Sequence, residues 1–166
     1  MDEKKGKQNM KKIVKFLVWA SFFCYLTAVA GLIFFRRYRG GLTEDISLWE
    51  YARYQMNLVP FKTILEYIRA YYDGSMSKII PLRNLIGNLI MFFPWGIYLP
   101  LLFEKTRRWN KCVVITVAML LGVELVQFLG RLGSFDIDDL ILNLTGAMLG
   151  FCVWKTKILR WLERLI

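Results

Sequence analysis

With 166 residues, 56% of them hydrophobic and 16% aromatic, and a mean hydropathy of +0.38, the chain is too apolar for a water-soluble domain of its size. Its formal charge of +10 comes from Lys and Arg gathered in short blocks between apolar runs, which argues against nucleic-acid binding and for membrane orientation. Histidine is absent, which removes the commonest general base and any imidazole-ligated zinc site, and Cys24, Cys112 and Cys152 sit in apolar runs without metal-ligand spacing, as small buried apolar residues would.

Six lysines between Lys4 and Lys15 lead into an apolar run from Ile13 to Phe35, long enough for a bilayer that needs roughly 20 helical residues. Ala28-Val29-Ala30 has the small-x-small form of a signal cleavage site. Leu32 to Phe35 prolong the run beyond it and Arg36-Arg37 follow, which favours an uncleaved anchor. From about Arg36 to Ile80 the chain is mixed and does not span. Thr43-Glu44-Asp45 is polar, and Trp49, Tyr51, Tyr54, Tyr71 and Tyr72 are aromatics of the interfacial kind. Within this stretch Phe61, Ile64, Leu65, Ile68 and Tyr72 recur at helical spacing opposite Lys62, Glu66 and Arg69, with Pro60 at the expected first turn. Such an amphipathic helix either lies in the membrane interface or packs on its own bundle.

A second span is predicted from about Asn84 to Phe103, with Pro94 and Gly96 in its middle, a third over 112–129 and a fourth over 139–154. Basic residues at the N-terminus, in the loop Glu104 to Lys111, and at Lys155, Lys157, Arg160 and Arg164 agree on one topology. Both termini are then cytoplasmic, and the segments 36–80 and 130–138 extracytoplasmic. Arg36, Arg37 and Arg39 dissent and are outweighed by the N-terminal lysines. The expected fold is all-α, a single membrane domain over 1–166: a polytopic bundle of about four transmembrane helices plus the amphipathic helix.

Several polar residues do not belong in lipid. Glu124 and Gln127, with Arg131 four further on, share one face near the end of the third span, and an acid inside a span costs at least about 2.5 kcal/mol. Across a short loop stand Asp136, Asp138 and Asp139, and Asn143 falls on the face of Asp139. Asn84 and Asn88 stand four apart near the same end of the second span. These groups fall at similar depth, where they converge either into one polar pocket or into a hydrogen-bond network that only fixes helix register. Gly146 and Gly150 form a small-xxx-small step expected to serve close helix packing.

These residues carry a family pattern. Asn57-Leu58-Val59-Pro60-Phe61 resembles the first conserved element of the VanZ-like family, and NLIMFFPWG, from Asn88 through Pro94 to Gly96, resembles its second. The third element is similar to GVELVQFLGRLGSFDIDDLILNLTGAMLG, matching at Glu124, Gln127, Gly133, Asp136, Asp139, Asn143, Gly146 and Gly150. The resemblance covers Asn57 to Gly150 and implies a small multi-pass protein of the bacterial plasma membrane, in a family associated with lowered susceptibility to lipoglycopeptides such as teicoplanin. Arg131 and Asp138 stand at positions the pattern does not define.

The preferred expectation is a binding protein whose outer-leaflet pocket, built from Asn88, Glu124, Gln127, Arg131, Asp136, Asp139 and Asn143, holds a lipid-linked cell-wall precursor or a lipoglycopeptide. That reading involves the bilayer as partner and needs no metal, cofactor or nucleic acid. The alternative is a metal-dependent membrane enzyme acting on a lipid phosphate or headgroup, with Glu124, Asp136, Asp138 and Asp139 as oxygen ligands for Mg²⁺ or Ca²⁺. An ion or proton pathway ranks last, because the other halves of the spans are apolar.

Overall fold

A computed structural model describes residues 2–35 and 47–163; Arg36, Arg37, Arg39, Thr43-Glu44-Asp45 and Arg164 lie outside the described residues. The chain forms helices α1 (Asp2–Ala30, continued by a π-helical turn Gly31–Phe35), α2 (Leu48–Gln55), α3 (Lys62–Asp73), α4 (Ile79–Leu102), α5 (Trp109–Leu129), α6 (Ile137–Trp154) and α7 (Lys157–Glu163). Among the described residues, four stretches are long and apolar enough to cross a membrane: Gln8–Ile33, Ile79–Leu102, Trp109–Leu129 and Ile137–Trp154. The protein is a multi-pass membrane helix bundle.

Helix α4 begins at Ile79, a turn earlier than hydropathy suggests. Arg83 and Asn84 dilute the apolar signal there, yet both are helical, and Pro81 is tolerated because the first N–H groups of a helix have no internal partner. The neighbours fix direction. Trp19 packs against Phe103, Phe22 against Tyr98, and the Tyr25 hydroxyl donates to the Met91 carbonyl at 2.9 Å, so α1 runs antiparallel to α4. Helix α6 runs parallel to α4 and packs closely on it. A Cβ on Gly146 would stand 2.1 Å from the Leu89 carbonyl oxygen, and one on Gly150 would stand 1.9 Å from that of Phe93. The glycine step therefore serves backbone approach, the geometry in which dispersion holds helices together where lipid offers no hydrophobic drive.

Cys112 is fully buried among Leu99, Leu101, Phe151 and Trp154, whereas Cys24 and Cys152 are exposed on helix surfaces, contrary to the expectation that all three are buried. A second cluster, of Ile33, Phe92, Leu120 and Ala147, sits further along the bundle toward the first turn of α4.

The described residues from Ser47 to α4 include two short helices. Ser47 and Glu50 form a capping box that starts α2, the Ser47 amide donating to Glu50 Oε2 at 3.0 Å and the Glu50 amide to Ser47 Oγ at 3.2 Å. Helix α3 has two apolar faces. Ala70 is buried and Ile64, Tyr67 and Tyr71 are half-buried against the bundle, while Phe61, Leu65, Ile68 and Tyr72 are exposed, Tyr72 at 83%. The inward face bears out packing on the bundle, and the outer apolar face stays exposed, as the interfacial alternative requires of it. Pro60 precedes the helix instead of occupying its first turn, because Phe61 takes the N-cap position with a left-handed φ of 65°.

Candidate functional site

The N-terminal ends of α4 and α6 and the C-terminal end of α5 meet around a cavity of about 780 Å³. Helix α4 contributes Arg83, Asn84 and Asn88, one stripe at helical spacing. Glu124 and Gln127 come from α5, and Asp139 and Asn143 from α6. Tyr51 and Gln55 of α2 and Arg131 and Ser134 of the α5–α6 loop add to the wall, and Leu32, Ile33, Phe92 and Leu120 are among its apolar residues.

The floor is polar yet removed from water: Gln127 is 3% exposed, Glu124 5% and Asn143 6%. Gln127 Nε2 donates to the Ile33 carbonyl at 3.0 Å, a carbonyl in the π-helical turn that ends the first span, so this amide ties α5 to α1. Asn88 Nδ2 donates to Asp139 Oδ1 at 2.5 Å, across the interface that the glycines keep close. Asn143 is different, since its buried Oδ1 has no hydrogen-bond partner among the described residues. Leaving such an acceptor unsatisfied costs about 1–3 kcal/mol, and a donor presented by a bound molecule would recover it.

The upper wall is shaped by strain. Helix α5 ends at Leu129, and Arg131, not Gly130, adopts the left-handed conformation with φ 52°, while the Leu132 amide donates back to the Gln127 carbonyl at 2.8 Å. A helix usually places glycine at this position, and a residue with a Cβ pays of order 1 kcal/mol there. The result is a guanidinium 5.8 Å from the centre of the Tyr51 ring. Tyr51 is 2% exposed and its hydroxyl donates to the Gly133 carbonyl at 2.8 Å, which fastens α2 over the cavity.

Six of the seven residues expected in the site line this one cavity: Asn88, Glu124, Gln127, Arg131, Asp139 and Asn143. Asp136 does not. Its carboxylate accepts from Asn57 Nδ2 at 3.0 Å, from Thr63 Oγ1 at 2.7 Å and from the Asp138 amide at 2.9 Å, the last of these capping α6. Asp138, fully buried, accepts from the amides of Phe61 at 2.6 Å and Ile64 at 3.1 Å, and so caps α3 from another helix. A two-residue parallel bridge, Met56 with Phe135 and Asn57 with Asp136, completes the clamp. Among the described residues no three carboxylates or thiols converge as a metal-ligating group. Arg83, Tyr51, Gln55 and Ser134 were not anticipated. Arg83 was detectable, lying one turn before Gly87, which lines the same cavity, once the helix is started at Ile79.

Residues 22–160 match the family model described as VanZ/LLP1. The chain is 29% identical over 127 residues to Protein VanZ of Enterococcus faecium, an alignment covering 76% of this chain and 66% of that relative. The chain therefore spans just under two thirds of the relative's length. No solved structure gives a significant match.

Proposed function

The chain belongs to the VanZ/LLP1 family, and on that premise we propose that its cavity faces the outer leaflet of the bacterial plasma membrane and binds the polar end of a lipid-linked cell-wall precursor or lipoglycopeptide. Holding such a molecule alters its access to target and lowers susceptibility to teicoplanin-type antibiotics. The observation that carries this reading is that Asn88, Glu124, Gln127, Arg131, Asp139 and Asn143, drawn from three spans and a loop, surround one space of about 780 Å³. A network that only fixed helix register would consume its own donors and acceptors and enclose no volume.

The chemistry fits a sugar or peptide headgroup. Carboxylates and amide oxygens accept from hydroxyl and N–H groups, and arginines donate to anionic or carbonyl oxygens. A space of this size takes a drug-sized fragment, so one end of a lipid-linked molecule enters while its tail stays in the bilayer. The outward orientation is supported by the basic loop Lys105 to Lys111 at the far end of the bundle. Lipid mass spectrometry of the protein purified in mild detergent tests the reading. A polyprenyl-linked or glycolipid species retained by the wild type and lost from Glu124→Ala supports it, and identical lipid profiles for the two proteins count against it.

A further inference from the structure

Of the charged groups around the cavity, Arg83 is the one no part of the fold explains. It is exposed, lines the mouth, and makes no hydrogen bond or ion pair with any described residue. It stands in the second turn of α4, at the N-terminal end, where the helix dipole offers a cation no favourable interaction. No contact among the described residues requires a cation here.

The adjacent stripe of the same helix supplies the second half of the argument. Leu82, Ile86 and Ile90 are 45%, 43% and 65% exposed and recur every four residues immediately beside Arg83 and Gly87. They form an open apolar track about 12 Å long at 1.5 Å rise per residue, running away from the cavity mouth along the membrane-spanning part of α4. A hydrocarbon chain laid on this track brings a headgroup attached to it to the Arg83 guanidinium, with Asp139, Asn143 and Glu124 further in for hydroxyl or amide donors.

We propose that Arg83 is the phosphate-recognising residue of the cavity and that the ligand is a lipid phosphate whose tail lies along Leu82, Ile86 and Ile90. This rests on the cavity being a binding site, and within that reading it selects the phosphate-bearing lipid over the lipoglycopeptide. Guanidinium suits the role because it stays charged and offers paired donors to phosphate oxygens.

The test uses the full chain in a maltoside detergent, which carries no phosphate, with three probes: a polyprenyl phosphate, the matching polyprenol and inorganic phosphate. Wild type should bind the polyprenyl phosphate at least about ten-fold more tightly than the alcohol, the lower bound for a charge-assisted hydrogen bond. Arg83→Gln should erase that difference without weakening the alcohol, Arg83→Lys should restore part of it, and Asn143→Leu should weaken both lipids together. Equal affinities for the two lipids in wild type, or an Arg83→Gln protein that still prefers the phosphate, overturn the assignment to Arg83 while leaving the cavity reading intact. Inorganic phosphate binding as tightly as the lipid, and depending on Arg83, overturns the lipid part. If neither lipid binds, this inference falls and the cavity reading is left to its lipoglycopeptide form, which a teicoplanin titration of the same protein then decides.

Discussion

The Asp138 carboxylate, on the first turn of α6, accepts a hydrogen bond from the backbone amide of Phe61 at 2.6 Å, 77 residues away in sequence. With the second bond from Ile64 at 3.1 Å, it caps a helix whose own N-cap residue offers no side-chain oxygen. Asp138→Ala takes the acceptor from the part-buried amides of Phe61 and Ile64 and lets Phe61 relax from its left-handed φ. The expected loss is about 3 kcal/mol. It is read as a lower melting temperature in detergent and as faster hydrogen exchange at the start of α3, with the α5 amides unaffected.

Close packing of α4 on α6 sets the distance across which Asn88 reaches Asp139. Gly150→Leu places a side chain where only 1.9 Å separates the new Cβ from the Phe93 carbonyl oxygen, so the helices must part. The expected outcome is a destabilised, poorly abundant protein, measured by tag detection in membranes and by thermal denaturation. Gly122→Leu, where a Cβ meets nothing within 4 Å, is the control and should be tolerated.

The capping box gives α2 an acid-sensitive start. The Ser47 amide, and then its hydroxyl, hold the Glu50 carboxyl below the usual carboxylate range. A group depressed in the folded state contributes stability above its unfolded pKa and loses it as pH falls through the folded one. Hydrogen exchange at the first turn of α2 should therefore be slow at neutral pH and quicken on acidification, once the intrinsic pH dependence of exchange is removed. Glu50→Gln should show no such pH response.

Sidedness is tested independently of the cavity. Reporters fused after Lys111 and after Ile166 are expected to read cytoplasmic, and one inserted near Gly74 extracytoplasmic, from the placement of basic residues. A cytoplasmic reading at Gly74 would invert the arrangement and put the cavity on the wrong side for an outer-leaflet ligand.

The spans were legible in the sequence because hydropathy over about 20 residues survives any detail of packing. The glycine step at Gly146 and Gly150 was legible for the same reason: spacing alone defines it. What escaped was the start of α4, where Arg83 and Asn84 look like loop to a hydropathy window, and with it the fourth charge of the cavity. Helix α2 was marked by Ser47 and Glu50 three residues apart, a signal passed over among the interfacial aromatics. The separate fates of Asp136, Asp138 and Asp139 were not readable. All three sit within four residues, and only the docking of 57–64 from a distant part of the chain turns Asp136 and Asp138 toward the clamp and leaves Asp139 on the cavity wall.

Asn143 separates a polar cluster that binds something beyond the protein from one that is structural glue most directly. Its Oδ1 is buried and has no hydrogen-bond partner among the described residues, so Asn143→Leu removes a cost and no internal bond. The measurement pairs the melting temperature of the purified variant with growth at graded teicoplanin concentrations in a susceptible Gram-positive host, at matched membrane abundance. A melting temperature equal to or above wild type together with loss of protection is the predicted result. A lowered melting temperature with protection fully retained would contradict the account and leave these residues as the glue of the bundle.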